Sequence, residues 1–226
     1  MVGLWPAILS LIPETRSPVV SIDRSAVVWS APERERAGRP LLVLLHGFGS
    51  HEGDLFGLSP MLPLGPVIAS VRGPLTAGGG YAWTPHSSEV DARTVNQGAH
   101  DTAAALLEWL DTTQSTSVGL LGFSQGAAMS LQLLRHAPHR FAFAVQLSGF
   151  AFDADPARDA ELARVRPPVF WGRGTLDTVI PEKRVAATES WLAAHSTLTT
   201  RIYEDLPHSI SQPELADVSR FIRTVW

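Results

Sequence analysis

Gly122-Phe123-Ser124-Gln125-Gly126 places a serine between two glycines, each two residues away, and its flanks restrict the fold more than any other feature of the chain. Ahead of it, Ser117 to Leu121 is a short apolar run of strand length. Behind it, Ala127 to Arg135 reads as a helix that breaks at Pro138. Strand, tight turn and helix in this order hold the serine in a strained backbone conformation, and the small neighbours let strand and helix approach. The hydroxyl then projects at a helix N-terminus, where free backbone N–H groups stabilise negative charge. A glycine-rich turn without chemistry needs no such flanks. The motif therefore reads as a presented nucleophile.

A serine so presented needs an acid and then a histidine, each on a loop after a later strand. Pro168 to Gly172 reads as a strand, with Arg173 to Pro181 as the loop leaving it, so Asp177 lies at a strand's carboxyl end. Leu198 to Tyr203 alternates and is rich in β-branched residues, which predicts a further strand. Glu204 to Ser209 follows, carrying His208, and a helix begins at about Pro213. The order Ser124, Asp177, His208 is the one required.

Competing residues have simpler readings. His195 ends a helical stretch, and His136 and His139 close the helix after Ser124, where the macrodipole and solvent account for them. Asp153 and Asp155 follow the strand Phe141 to Leu147, one connection before Asp177, and Asp153 is the alternative acid. Asp205 stands too close to His208 in sequence to orient its ring from the far side.

Leu41 to Leu45 is continuously apolar and ends in His46-Gly47-Phe48-Gly49, as expected of a strand buried on both faces of a parallel sheet. A loop here supplies one oxyanion-binding N–H and the residue after the nucleophile supplies the other, making the Phe48 and Gln125 amides the candidates. His46 is expected to organise its loop through a hydrogen bond.

Taken together, His46-Gly47-Phe48-Gly49, Gly122 to Gly126, the Asp177 loop and Pro207-His208-Ser209 resemble the phospholipase/carboxylesterase family of α/β-hydrolases, which includes acyl-protein thioesterases and small bacterial carboxylesterases. The resemblance runs from about Val27 to the C-terminus and includes Gly79-Gly80-Tyr81-Ala82-Trp83. It implies Ser124, Asp177 and His208 as nucleophile, acid and base, Phe48 and Gln125 as oxyanion donors, and Trp83 near the substrate pocket. Thr84-Pro85-His86 and Ser50 to Leu55 depart from the family pattern, which bears on the substrate and leaves the chemistry intact.

Strands alternating with helices predict an α/β-hydrolase fold with a mainly parallel, doubly wound sheet in one domain spanning 1–226. Val67 to Val71 is a further strand, and Asp91 to Thr112 carries Ala99, Ala103, Leu106, Leu107 and Leu110 at helical spacing. The connection from Gly149 to Arg166 is too short for a large cap, so an accessible site is expected. Glu33 to Gly38 reads as a solvated charged turn.

Composition excludes several function classes. A formal charge of -4, with Lys183 the single lysine, gives no basic footprint for nucleic acid. The absence of cysteine excludes disulfides, a thiol nucleophile and thiolate metal ligands. No pair among the eight histidines has zincin spacing, so neither metal nor organic cofactor is expected. Met1 to Pro13 is apolar but lacks a positive n-region and a cleavage site, and is too short to span a bilayer. It is expected to pack on the domain near an edge strand, in a cytoplasmic protein without stable membrane insertion; a homodimer is left open. The expected reaction is hydrolysis of short- to medium-chain esters, with Trp83, Phe48 and Leu176 around the substrate. A thioesterase or lysophospholipase-like acyl hydrolase would use the same machinery. A catalytically silent ligand-binding module would share the fold alone.

Overall fold

A computed structural model of the chain describes residues 20–86 and 90–226, and the expectation for Met1 to Pro13 lies outside them. The first half contributes β1 (Val28–Trp29), β2 (Leu41–Leu45), α1 (Glu52–Phe56), β3 (Val67–Val71), the hairpin β4 (Leu75–Ala77) and β5 (Gly80–Ala82), and α2 (Ala92–Asp111). The second half alternates regularly. It runs β6 (Val118–Phe123), α3 (Gln125–His136), β7 (Phe141–Leu147), α4 (Pro156–Val165), β8 (Pro168–Gly174), α5 (Glu182–His195), β9 (Thr197–Tyr203) and α6 (Gln212–Val225).

Seven strands form one sheet in the order β1-β3-β2-β6-β7-β8-β9, and only β1 runs antiparallel. The unbroken apolar run of β2 is explained by this position. Leu41, Val43 and Leu45 face a core built with α2 and α3, whereas Leu42 and Leu44 face the opposite core, which α6 closes with Val218, Phe221 and Ile222. All five β2 residues are buried. After β2 the chain moves outward to β3, then returns across β2 to β6 and proceeds the other way. Loops leaving β2 and β6 therefore diverge at a topological switch point, where open α/β sheets bind ligands.

Two expectations change in detail. β8 continues two residues past Gly172, because Gly172, Arg173 and Gly174 stay paired with Arg201, Ile202 and Tyr203 of β9. The charged turn after β1 contains a 3₁₀ turn, Glu33–Glu35, and is not wholly solvated: the Arg36 guanidinium lies 4.2 Å over the Trp29 ring. Between Gly149 and Arg166 stands α4, a single ten-residue helix, so the connection carries no large cap.

Candidate active site

Ser124 follows β6 directly and precedes the first residue of α3, with φ 53° and ψ -118°. A non-glycine residue at positive φ costs on the order of 1–3 kcal/mol, and packing around the turn must hold it there. The glycines of the motif make that packing. A Cβ on Gly126 would stand 1.9 Å from the Leu45 carbonyl oxygen, and one on Gly122 would stand 2.3 Å from the Gly126 oxygen. The Ser124 N–H donates to Leu147 O at 2.9 Å, anchoring the turn to β7.

His208 meets Ser124 from the far side of the crevice. The Ser124 hydroxyl lies 2.9 Å from His208 Nε2, and His208 Nδ1 lies 2.8 Å from Asp177 Oδ2. A neutral imidazole satisfies both contacts by donating from Nδ1 and accepting at Nε2. The other Asp177 oxygen accepts the N–H groups of Val179 at 3.0 Å and Ile180 at 3.3 Å. Only 4% of the Asp177 side chain and 16% of the His208 side chain are exposed. The two loops are tied together beneath these contacts. Leu176 N–H donates to Leu206 O at 3.0 Å, and Asp205 N–H donates to Thr175 Oγ1 at 3.0 Å. Asp205 itself turns the chain at φ 57°. Phe123 packs its ring 4.9 Å from the His208 ring, a contact hidden in the serine motif until the loops come together.

Asp153 is elsewhere. It accepts from Asn96 at 2.9 Å and faces Arg184 at 3.8 Å. Asp155 caps α4 and pairs with Arg158. The carboxylate brought to His208 is that of Asp177.

The Phe48 and Gln125 N–H groups donate to no backbone carbonyl among the described residues. His46, wholly buried, holds its loop as expected: Nδ1 donates to Gly47 O at 2.7 Å and Nε2 accepts from the Gly73 N–H at 3.0 Å. Burial pushes its pKa down, which keeps the ring neutral. Of the expected substrate-lining residues, Leu176 and Phe48 are 55% and 42% exposed. Trp83 requires correction. It is 0% exposed, so it offers no surface to an acyl chain and belongs to the scaffold beneath the site.

His136 also departs from expectation. It is half-buried against His100, with His136 Nε2 2.8 Å from His100 Nδ1, and burial together with Arg158 lowers its pKa to about 4. It is not a cation at a helix terminus. His100 and His46 are shifted down for the same first reason, burial. A histidine neutral when folded but protonatable near pH 6.5 when unfolded makes unfolding take up protons, so stability falls as pH drops from about 6.5 towards 4. Glu214, raised to about 7 by burial, works in the opposite sense, favouring the fold as pH falls from about 7 to 4.5. The shifts of His136 and Glu214 are similar in size and opposite in effect, and the downward shifts of His46 and His100 tip the balance. The urea midpoint is therefore expected to decline as pH falls below about 6.5, less steeply in His136→Gln and more steeply in Glu214→Gln. A flat profile in all three proteins would contradict this.

Residues 74–226 match the family model described as Phospholipase/Carboxylesterase. The chain belongs to this family. Like its family, it is a serine hydrolase acting on ester bonds. Acyl-protein thioesterase 1 of Kluyveromyces lactis is 24% identical over 212 residues, spanning 84% of this chain and 93% of that protein. Acyl-protein thioesterase 1 of Candida albicans is 35% identical over 114 residues, a stretch covering 46% of this chain and 48% of the relative. Among solved structures, esterase PE8 aligns with a TM-score of 0.69 at 27% identity, covering 84% of this chain and 94% of its own. Among the described residues no helix is long and apolar enough to cross a membrane.

Proposed function

We propose that this family member is a carboxylesterase that cleaves short- to medium-chain esters through an acyl-enzyme on Ser124, with His208 as base and Asp177 as its orienting acid. The observation that carries the proposal is the unbroken relay from Ser124 Oγ through His208 to Asp177, at 2.9 and 2.8 Å. As Ser124 Oγ attacks the ester carbonyl, its proton passes to His208 Nε2, and the buried Asp177 carboxylate stabilises the resulting imidazolium. The Phe48 and Gln125 N–H groups bind the tetrahedral oxyanion, each donor worth about 10²- to 10³-fold in rate. His208 then protonates the departing alcohol. Water, deprotonated by the same ring, attacks the acyl carbon and returns Ser124.

The acyl group is assigned to the rim formed by Phe48, Leu176 and Val179, three large apolar residues exposed on loops at the carboxyl edge of the sheet. An open rim without a cap favours esters whose chains leave the surface after a few carbons. Each methylene that gains cover contributes about 0.8 kcal/mol, so kcat/KM on p-nitrophenyl esters is expected to rise about four-fold per carbon at first and then level off. Leu176→Ala flattens the rise. Continued increase through palmitoyl esters, with a jump above the critical micelle concentration, would assign the enzyme to long acyl lipids instead. The thioesterase names of the sequence relatives favour a second reading, cleavage of acyl thioesters on the same residues. It prevails if an acyl thioester is turned over faster than the oxygen ester of equal chain length.

A further inference from the structure

Backbone pairing between β2 and β6 ends at Leu45 and Gly122, just before the two loops assigned to the oxyanion hole. Phe48 and Gln125 lie beyond that ladder, yet an oxyanion is bound well only when both donors are held at fixed separation. The Gly126 backbone packs against the Leu45 and His46 carbonyls and brings the two loops close; hydrogen bonds from a third segment tie them together.

We propose that Trp83 is the positioning residue that fixes the oxyanion hole by gripping both loops at once. On the β2 side, its indole N–H donates to the His46 carbonyl at 2.7 Å, and the His46 ring packs 5.0 Å from the indole. On the β6 side, its main-chain N–H donates to Gln125 Oε1 at 2.8 Å. Gln125 Nε2 donates in turn to Thr84 Oγ1 at 2.9 Å and to Thr84 O at 3.2 Å. The Trp83 carbonyl is itself held by the Thr102 hydroxyl of α2 at 2.7 Å. Two residues earlier, Tyr81 exchanges backbone bonds with the same β2 loop: Gly49 N–H to Tyr81 O at 2.9 Å, and Tyr81 N–H to Ser50 O at 2.7 Å. The strand leading into Trp83 thus holds the loop on both sides of Phe48, at His46 and at Gly49.

Gln125 has two roles in this arrangement. Its main-chain N–H serves the oxyanion while its side chain is the tether. Trp83 is 0% and Gln125 5% exposed, so water does not compete for these bonds, and each of the two side chains has its polar atoms paired. Burying an indole N–H requires a partner, and here the partner is the carbonyl two residues before Phe48.

The inference rests on the proposed hydrolytic function, with the Phe48 and Gln125 N–H groups as oxyanion donors, and the test separates its failure from failure of that hydrolytic reading. Trp83→Phe keeps an aromatic ring and removes the indole donor; Gln125→Met keeps side-chain length and removes all three side-chain bonds while leaving the main-chain N–H. Each is expected to lower kcat on p-nitrophenyl acetate roughly 10- to 100-fold, part of the loss seen when an oxyanion donor is deleted outright. KM is expected to move less than about three-fold, because the bonds act on the transition state. Inactivation by a fluorophosphonate, whose phosphonyl oxygen occupies the same hole, slows in parallel. The apparent pKa of the kcat/KM profile stays that of the parent, since His208 and Asp177 are untouched. Phe143→Leu, in the core on the other face of the sheet, controls for reduced stability and is expected to retain the parent kcat. Parent-like kcat in Trp83→Phe or Gln125→Met at lowered melting temperature, or a loss carried by KM alone, would overturn the proposal. If Trp83→Phe does not fold, Gln125→Met decides the matter. Failure of the parent protein itself to react with fluorophosphonate overturns the hydrolytic reading beneath it.

Discussion

Ser124→Ala is expected to lower kcat on an ester substrate on the order of 10⁶-fold, the loss that follows removal of a nucleophile acting as one unit with its base. Stability is expected to hold. Alanine at this position meets the same positive-φ strain as serine, and the Leu147 anchor uses the main-chain N–H. The hydroxyl that is removed bonds to His208, whose ring stays held by Asp177. The measurement is a single-turnover assay beside a urea-unfolding curve. A variant that retains more than about a hundredth of the parent kcat, far above what such a unit leaves, would show that another group attacks the ester.

Asp177→Asn is the second large effect. Asparagine preserves shape, and its amide oxygen can still accept the Val179 and Ile180 N–H groups. Its amide nitrogen, however, faces His208 Nδ1 with a donor where the ring needs an acceptor. The imidazole then adopts the wrong tautomer, and kcat is expected to fall about 10⁴-fold. Asp153→Asn, which disturbs only contacts to Asn96 and Arg184, is expected to behave as the parent. A dead Asp153 variant beside a near-normal Asp177 variant would reverse the assignment of the acid.

The juxtaposition of Ser124, Asp177 and His208 is legible in the sequence because each stands at the carboxyl end of its own strand, and parallel strands bring those ends to one edge. β2 is legible from its unbroken apolar run, since only a strand covered on both faces tolerates one. What escapes a sequence reading are contacts decided by distant chain. Trp83 follows a three-residue strand in a hairpin, too short for any periodicity to reveal which way its side chain turns, and its partners His46 and Gln125 lie 37 and 42 residues away. His136 closes a helix, where local reasoning assigns a cation; its neutral state comes from burial against His100 on α2. The end of β8 is obscured because Gly172 and Gly174 carry a loop signal. Gly174 is in fact needed inside the strand, where a Cβ would lie 1.8 Å from Leu206 O beneath the His208 loop.

The most direct test of the hydrolytic assignment is the mass of the intact protein after reaction with a fluorophosphonate, followed by peptide mapping. The expected result is one adduct per chain, located on Ser124 in the peptide containing Gly122 to Gly126, absent from Ser124→Ala and formed far more slowly in Asp177→Asn. An adduct on a different serine, or stoichiometric labelling of Ser124→Ala, would contradict the assignment of Ser124 as the nucleophile.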